Sequence, residues 1–206
     1  MPHDRTARVN TSDAYPRRVL AIPGSVRSGS YNRLLLKAAG VCAPAGMVVE
    51  LYGELGMIPI FDEDLEQSTS GGPDAVRRLR LLVGAADGLL ISTPEYNHSM
   101  PGVLKNAIDW LSRPGPDEVL IGKPVAVLGA SGGRWGTRLA QSTLRQVLFA
   151  TESVVMPAPM LFLRDARDLF DDAGALVHAA TRDQLTKLLE AFGAWIDRVA
   201  PVRYLT

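Results

Sequence analysis

Short apolar runs alternate with helically spaced apolar stripes along this chain. Arg17-Arg18-Val19-Leu20-Ala21-Ile22, closed by Pro23-Gly24, predicts a buried strand over 17–22. A helix is expected over 31–40. Met47-Val48-Val49-Glu50-Leu51-Tyr52 is a second β-branched run, and an irregular stretch is expected over 53–70. Pro73 opens the next helix, because its fixed φ suits a first helical position, and Val76, Leu79 and Val83 mark its apolar spacing. A third strand is predicted over 87–92. Pro101 opens a helix with Leu104, Ala107, Ile108 and Leu111 on one face. A fourth strand over 124–128, a helix over 135–149 and a fifth strand, Ser153-Val154-Val155-Met156, follow. Thr181-Arg182-Asp183-Gln184 fits a capping box. The helix it opens sets Leu185, Leu188, Leu189, Phe192, Trp195, Ile196 and Val199 on one side.

Strands that alternate with helices imply a parallel sheet covered on both faces. Right-handed crossovers leave few topologies, and the common five-stranded choice is a flavodoxin-like three-layer α/β sandwich of strand order 2-1-3-4-5. Residues 1–16 are polar and aperiodic and read as a flexible arm, which leaves 17–206 as one domain. Composition sharpens this picture in a few places. Lys and Arg total 22 and Asp and Glu total 22, so the net charge is zero. That argues against a nucleic-acid binder and against a carrier that docks through a strong surface field. One cysteine and three scattered histidines suit no disulfide framework and no metal site. No apolar run reaches the roughly 18 residues a membrane span needs. The start of the chain lacks an apolar signal segment, so the expected location is cytoplasmic.

The glycines carry the functional information. Gly24 and Gly29 follow the first strand, Gly102 the third, and Gly129, Gly132, Gly133 and Gly136 the fourth. Ligands of an open α/β sheet bind beyond the carboxyl ends of such strands, near the switch point. The first loop, Gly24-Ser25-Val26-Arg27-Ser28-Gly29-Ser30-Tyr31-Asn32, leads into a helix N-terminus, which suits a phosphate. Ser25, Ser30 and Asn32 offer polar donors, and Arg27 offers a charge-assisted bond. The spacing Gly24-x4-Gly29 imitates a Walker A loop, but Ser30 stands where its lysine belongs, so NTP hydrolysis is not expected. A serine-capped helix after a glycine turn is the plainer reading of the same residues.

The second loop, Ser92 to Gly102, is stiffened by Pro94 and Pro101 and carries Glu95, Tyr96, Asn97 and His98. Its plain reading is a proline-shaped turn with Tyr96 in the core. His98 reads as solvated or structural, and no nucleophile–base pattern such as Gly-x-Ser-x-Gly occurs. The third loop, Gly129-Ala130-Ser131-Gly132-Gly133-Arg134-Trp135-Gly136, allows close backbone approach to a flat ring, or is simply a flexible connection.

Taken together, the first loop, the segment Pro94-Glu95-Tyr96-Asn97-His98-Ser99-Met100-Pro101-Gly102-Val103-Leu104-Lys105-Asn106-Ala107-Ile108-Asp109-Trp110 and the stretch from Gly122-Lys123-Pro124-Val125 to Gly136 resemble the NADPH-dependent FMN reductase family, with its quinone- and chromate-reducing members. The resemblance implies that Ser25, Arg27, Ser30 and Asn32, with Tyr31 among them, hold the FMN phosphate. It implies that Pro94, Glu95, Tyr96 and Asn97 run beside the isoalloxazine, largely through main-chain contacts, and that Ser131, Gly132 and Gly133 border the ring from the other side. It also implies an NAD(P)H-dependent oxidoreductase, with NADPH or NADH as co-substrate and a quinone, free flavin, azo compound or metal oxyanion as acceptor. No protein nucleophile is needed, because the flavin carries the hydride. A homodimer or homotetramer is implied, with the helix after Pro101 and the segment Phe61-Asp62-Glu63-Asp64 as interface candidates. A flavodoxin-type electron carrier and a non-catalytic flavin-binding module are the alternatives.

Overall fold

The computed structural model describes residues 16–69, 71–113 and 118–199. The arm expected over 1–16 lies outside them except for Pro16. The sheet is parallel and runs β2 (Met47–Leu51), β1 (Arg17–Pro23), β3 (Gly88–Ser92), β4 (Pro124–Ala130) and β5 (Val154–Val155). The flavodoxin-like order expected from the alternation is therefore present.

Strand residues alternate between two cores, as a period of two requires. Val19, Ala21, Leu90, Ala126 and Leu128 face α1 (Tyr31–Val41) and α6 (Ala179–Val199). Leu20, Ile22, Leu89, Ile91, Val125 and Val127 face α3 (Asp74–Ala85), α4 (Gly102–Leu111) and α5 (Arg138–Ala150). Helix α6 crosses so close to the sheet that a Cβ at Gly88 would lie 2.8 Å from Phe192 and 2.9 Å from Ile196.

Five features differ from the sequence reading. The stretch over 53–70 is not wholly irregular. It holds a 3-10 turn at Leu55–Met57 and helix α2 (Glu63–Ser68), whose N-cap Asp62 accepts from the N–H of Asp64. Pro73 and Pro101 are N-cap residues, one position before the first helical residue. Helix α5 starts at Arg138, three residues later than expected. Helix α6 starts at Ala179, so Thr181 lies inside its first turn rather than capping it. The cap there is the His178 imidazole, which accepts from the Thr181 N–H at 3.3 Å.

The fifth strand position shows the largest difference. β5 covers only two residues, and a sixth strand, β6 (Leu161–Leu163), continues the ladder on β4 through Leu128, Gly129 and Ala130. Pro157 and Pro159 lie between the two segments. A proline has no N–H to give a ladder, so the strand is cut in two. Gln141 of α5 supports the second piece, its side-chain amide donating to the Leu161 carbonyl at 2.9 Å.

Candidate active site at the carboxyl edge of the sheet

The loop after β1 turns against the loop after β3. The Gly24 N–H donates to the Ser92 carbonyl at 2.7 Å, and a Cβ at Gly24 would sit 3.0 Å from Leu104. Ser25 is buried, while Val26, Arg27, Ser28 and Gly29 are exposed. Ser30 caps α1 and accepts from the Arg33 N–H. Among the described residues the first-turn N–H groups of Tyr31 and Asn32 find no acceptor, and no acidic residue occupies that turn. The positive end of the helix is thus uncompensated, with an exposed arginine and open serine nearby, which is the chemistry of an anion cradle.

Asn32 lies 2% exposed, and its amide is engaged inside the protein. Its Nδ2 donates to the Ala130 carbonyl at 2.9 Å. Its Oδ1 accepts from the Ala130 N–H at 2.9 Å and from the Ser92 hydroxyl at 2.8 Å. One side chain thereby joins helix α1 to the ends of β3 and β4 and sets the spacing of all three loops.

The second loop contains a tight hairpin. Tyr96 and Ser99 exchange backbone bonds of 2.9 and 3.0 Å around Asn97 and His98, both at positive φ (50° and 65°). Two consecutive left-handed residues define a primed turn, which asparagine tolerates well. The turn lifts Tyr96 into solvent, 49% exposed, rather than into the core. Glu95 turns the other way. Its carboxylate accepts from the N–H groups of Leu139 and Ala140 at 2.9 and 3.1 Å and so caps α5 from a separate loop. His98 stands 3.7 Å from the same carboxylate.

In the third loop the Ser131 N–H donates to the Leu163 carbonyl, its carbonyl accepts from the Ala166 N–H, and its hydroxyl accepts from the Gly133 N–H at 3.0 Å. Gly132 and Gly133 are exposed and form a shelf free of side chains. A Cβ at Gly132 would meet only the Tyr31 ring, at 4.0 Å, so the first and third loops come together there. Tyr31 stacks on Phe170 at 6.1 Å. Gly129 serves packing instead, since a Cβ would lie 2.1 Å from the Thr137 hydroxyl and 2.4 Å from the Thr93 carbonyl.

The structure thus gathers the three loops on one edge. It leaves Arg27, Tyr96, Asn97, Gly132 and Gly133 open to a ligand and commits the side chains of Asn32 and Glu95 to holding the loops. Sequence reasoning did not find Phe162, Arg164 or Phe170 near this edge, because the strand that brings them there is hidden behind two prolines. Among the described residues no cluster of histidine, cysteine and carboxylate side chains could hold a metal.

A parallel sheet in this order, with an anion cradle after β1 and a glycine shelf after β4, defines a flavodoxin-like protein with a site for a flat, phosphate-bearing cofactor. Comparison with known proteins narrows this. The model of the NADPH-dependent FMN reductase family matches residues 17–168, and the chain belongs to that family. It is 45% identical over 182 residues to an NAD(P)H-dependent FMN reductase of Pseudomonas aeruginosa, covering 88% of this chain and 96% of the relative. It is 40% identical over 183 residues to a quinone reductase of Escherichia coli, with coverages of 88% and 96%. The solved structure of FerB, a flavoenzyme NAD(P)H:(acceptor) oxidoreductase from Paracoccus denitrificans, superposes with a TM-score of 0.81 at 32% identity over 89% of this chain and 98% of that one. The chain is an FMN-dependent oxidoreductase that uses NAD(P)H.

Proposed function

We propose that this enzyme passes two electrons from NAD(P)H to a small quinone-like acceptor. The observation that carries the reading is the open, uncompensated N-terminus of α1 facing the edge that also holds the glycine shelf. The donor set suits FMN: free amides at Tyr31 and Asn32 and the Arg27 side chain for a phosphate, and a side-chain-free surface at Gly132 and Gly133 for a ring. FMN, when bound, supplies the redox chemistry, taking a hydride equivalent from the reduced nicotinamide and returning two electrons to the acceptor.

The protein's part is placement. Ser25, Arg27, Ser30 and Tyr31 hold the phosphate end, with Ser30 acting mainly as the helix cap. Asn32 keeps the three loops at a fixed distance. Pro94 and the Tyr96–Asn97 turn line one side of the ring, and Glu95 ties that turn to α5. Ser131, Gly132 and Gly133 line the other side, with the Ser131 hydroxyl bracing the shelf from within. A quinone acceptor is favoured by the 40% identity to a quinone reductase and by the exposed Tyr96 ring, on which a second flat molecule can lie. A pure electron carrier is disfavoured by the chain's zero net charge.

We also propose that two copies associate, singly or as paired dimers, through the face carrying Phe61, Asp62, Glu63, Asp64 and α4. Met57 and Ile60, exposed at 70% and 79%, lie beside that face. No helix among the described residues is long and apolar enough to cross a membrane, and we place the enzyme in the cytoplasm.

The test is anaerobic. FMN-reconstituted protein is expected to lose its flavin absorbance on addition of NADPH and to regain it on addition of a benzoquinone. Protein that neither NADPH nor NADH bleaches would contradict the proposal. Arg27→Ala is expected to weaken FMN binding about tenfold, the loss of one charge-assisted bond, in a fluorescence titration. An unchanged affinity removes Arg27 from the phosphate site.

A further inference from the structure

One residue beyond the glycine shelf, a cleft of about 470 Å³ opens between the third loop and β6, lined by Arg134, Trp135, Arg138, Phe162 and Arg164. The loop lies flat on β6 because Gly136 adopts a positive φ of 67°, and a Cβ there would stand 3.3 Å from Phe162. Arg134 lies over the Trp135 ring at 4.9 Å, and Arg138 over the Phe162 ring at 5.2 Å. Neither guanidinium has a carboxylate partner among the described residues. Arg164 reaches only Asp165, at 4.0 Å, in a pair open to water on both sides. Most other arginines of the described residues reach a carboxylate or a carbonyl, including Arg17, Arg77, Arg78, Arg80 and Arg113.

Three guanidiniums with one weak counter-charge repel one another, and the two aromatic faces hold two of them in place without neutralising them. Such a group suits a doubly charged oxyanion joined to a flat ring: the arginines bind the anion by forked hydrogen bonds, and the exposed Trp135 ring covers the ring. The size of the cleft fits a nucleoside phosphate. Its position, continuous with the shelf after β4, restricts which nucleotide is meant.

We propose that this cleft takes the 2′-phosphorylated adenosine end of NADPH and gives the enzyme its preference for NADPH over NADH. The proposal rests on NAD(P)H being the reductant. It adds residues of β6 and of the loop after it, which belong to no phosphate loop described above.

The test uses FMN-loaded protein and two nucleotides that differ only in the 2′-phosphate, 2′,5′-ADP and 5′-AMP, titrated by calorimetry. The expected result is that 2′,5′-ADP binds at least about tenfold more tightly, and that the double variant Arg134→Gln/Arg164→Gln brings the ratio close to one. The kcat/KM ratio of NADPH to NADH is expected to fall in parallel. All three arginines are exposed, so these changes spare the fold. Equal binding of the two nucleotides by the unsubstituted protein overturns the proposal, as does a preference that survives in the double variant. Inorganic sulfate binding as tightly as 2′,5′-ADP overturns the nucleotide assignment and leaves a plain oxyanion site. Failure of 2′,5′-ADP to bind, together with a changed sedimentation coefficient in the double variant, overturns it in favour of a contact between copies. If neither reduced nucleotide bleaches the flavin but the 2′,5′-ADP preference holds and is lost in the variant, the cleft stands and the redox reading falls.

Discussion

A buried polar side chain is worth what its hydrogen bonds return, and this protein contains both extremes. Asn32 satisfies three bonds from one amide in full burial, so it stabilises the junction it spans. Tyr52 is 3% exposed, and its hydroxyl has no partner among the described residues. Burial holds that hydroxyl above the ordinary tyrosine range; the nearby Glu54 charge adds to the rise and Arg78 opposes it. The folded state therefore keeps its proton to higher pH than the unfolded chain does. The linkage follows: the contribution is constant below the unfolded value of about 10, and stability falls as pH climbs from there through the folded value. Tyr52→Phe is expected to flatten this alkaline decline and to raise stability at neutral pH by about 1 kcal/mol, since an unpaired buried hydroxyl is removed. Urea unfolding at pH 7 and above pH 10 measures both effects. A destabilised variant with an unchanged alkaline slope would show that the hydroxyl is not the group responsible.

At the level of elements, the functional edge is braced by groups that cap helices from other segments. Helix α5 has Thr137 at its N-cap, but the Thr137 side chain caps none of the helix N–H groups. Glu95, more than forty residues earlier, supplies the missing acceptor for Leu139 and Ala140. A carboxylate at a helix N-terminus gains from both the hydrogen bonds and the dipole. Glu95→Ala is therefore expected to cost about 1–2 kcal/mol in chemical denaturation and to release the Tyr96–Asn97 turn. Faster hydrogen exchange at Leu139 and Ala140 is the direct readout, and protection equal to that of the unsubstituted protein would refute the bracing role. The ion pairs of Arg80 and Arg113 with Glu66, and of Arg113 with Glu63, do similar work where α2 meets α3 and the end of α4.

Across the whole molecule, zero net charge conceals an uneven distribution. Acidic residues gather on α2, and beside β6 gather arginines that meet only one weak counter-charge among the described residues. Large apolar side chains remain exposed near α2, where Met57 and Ile60 stand beside Phe61. A chain that associates through this face buries them. If copies pair through this face as proposed, Ile60→Asp, at a position 79% exposed and so harmless to the core, lowers the sedimentation coefficient of the assembly. A variant that sediments as the unsubstituted protein does rejects this face as the interface.

Much of this molecule is legible in its sequence, because the signals involved are local. Alternation in β1, β3 and β4, the stripes of α3 and α4, and glycines after three strands all depend on neighbours a few residues apart, and they yield the sheet order and the edge on which the loops meet. The matching residues of the first two loops likewise sit in continuous stretches. The split of the last strand was not legible, since Pro157 and Pro159 erase the run that would announce it and only the β4 ladder defines β6. Nor were the duties of individual polar groups. Ser30 caps a helix as its spacing implies, but the side chain of Asn32 is spent on the Ala130 backbone, 98 residues away, and on the Ser92 hydroxyl, and that of Glu95 on backbone groups 44 and 45 residues away. The sequence alone determines which residues can donate, accept or carry charge. Tertiary structure decides which of them have already been satisfied by the protein, because hydrogen bonds depend on distance in space and not along the chain.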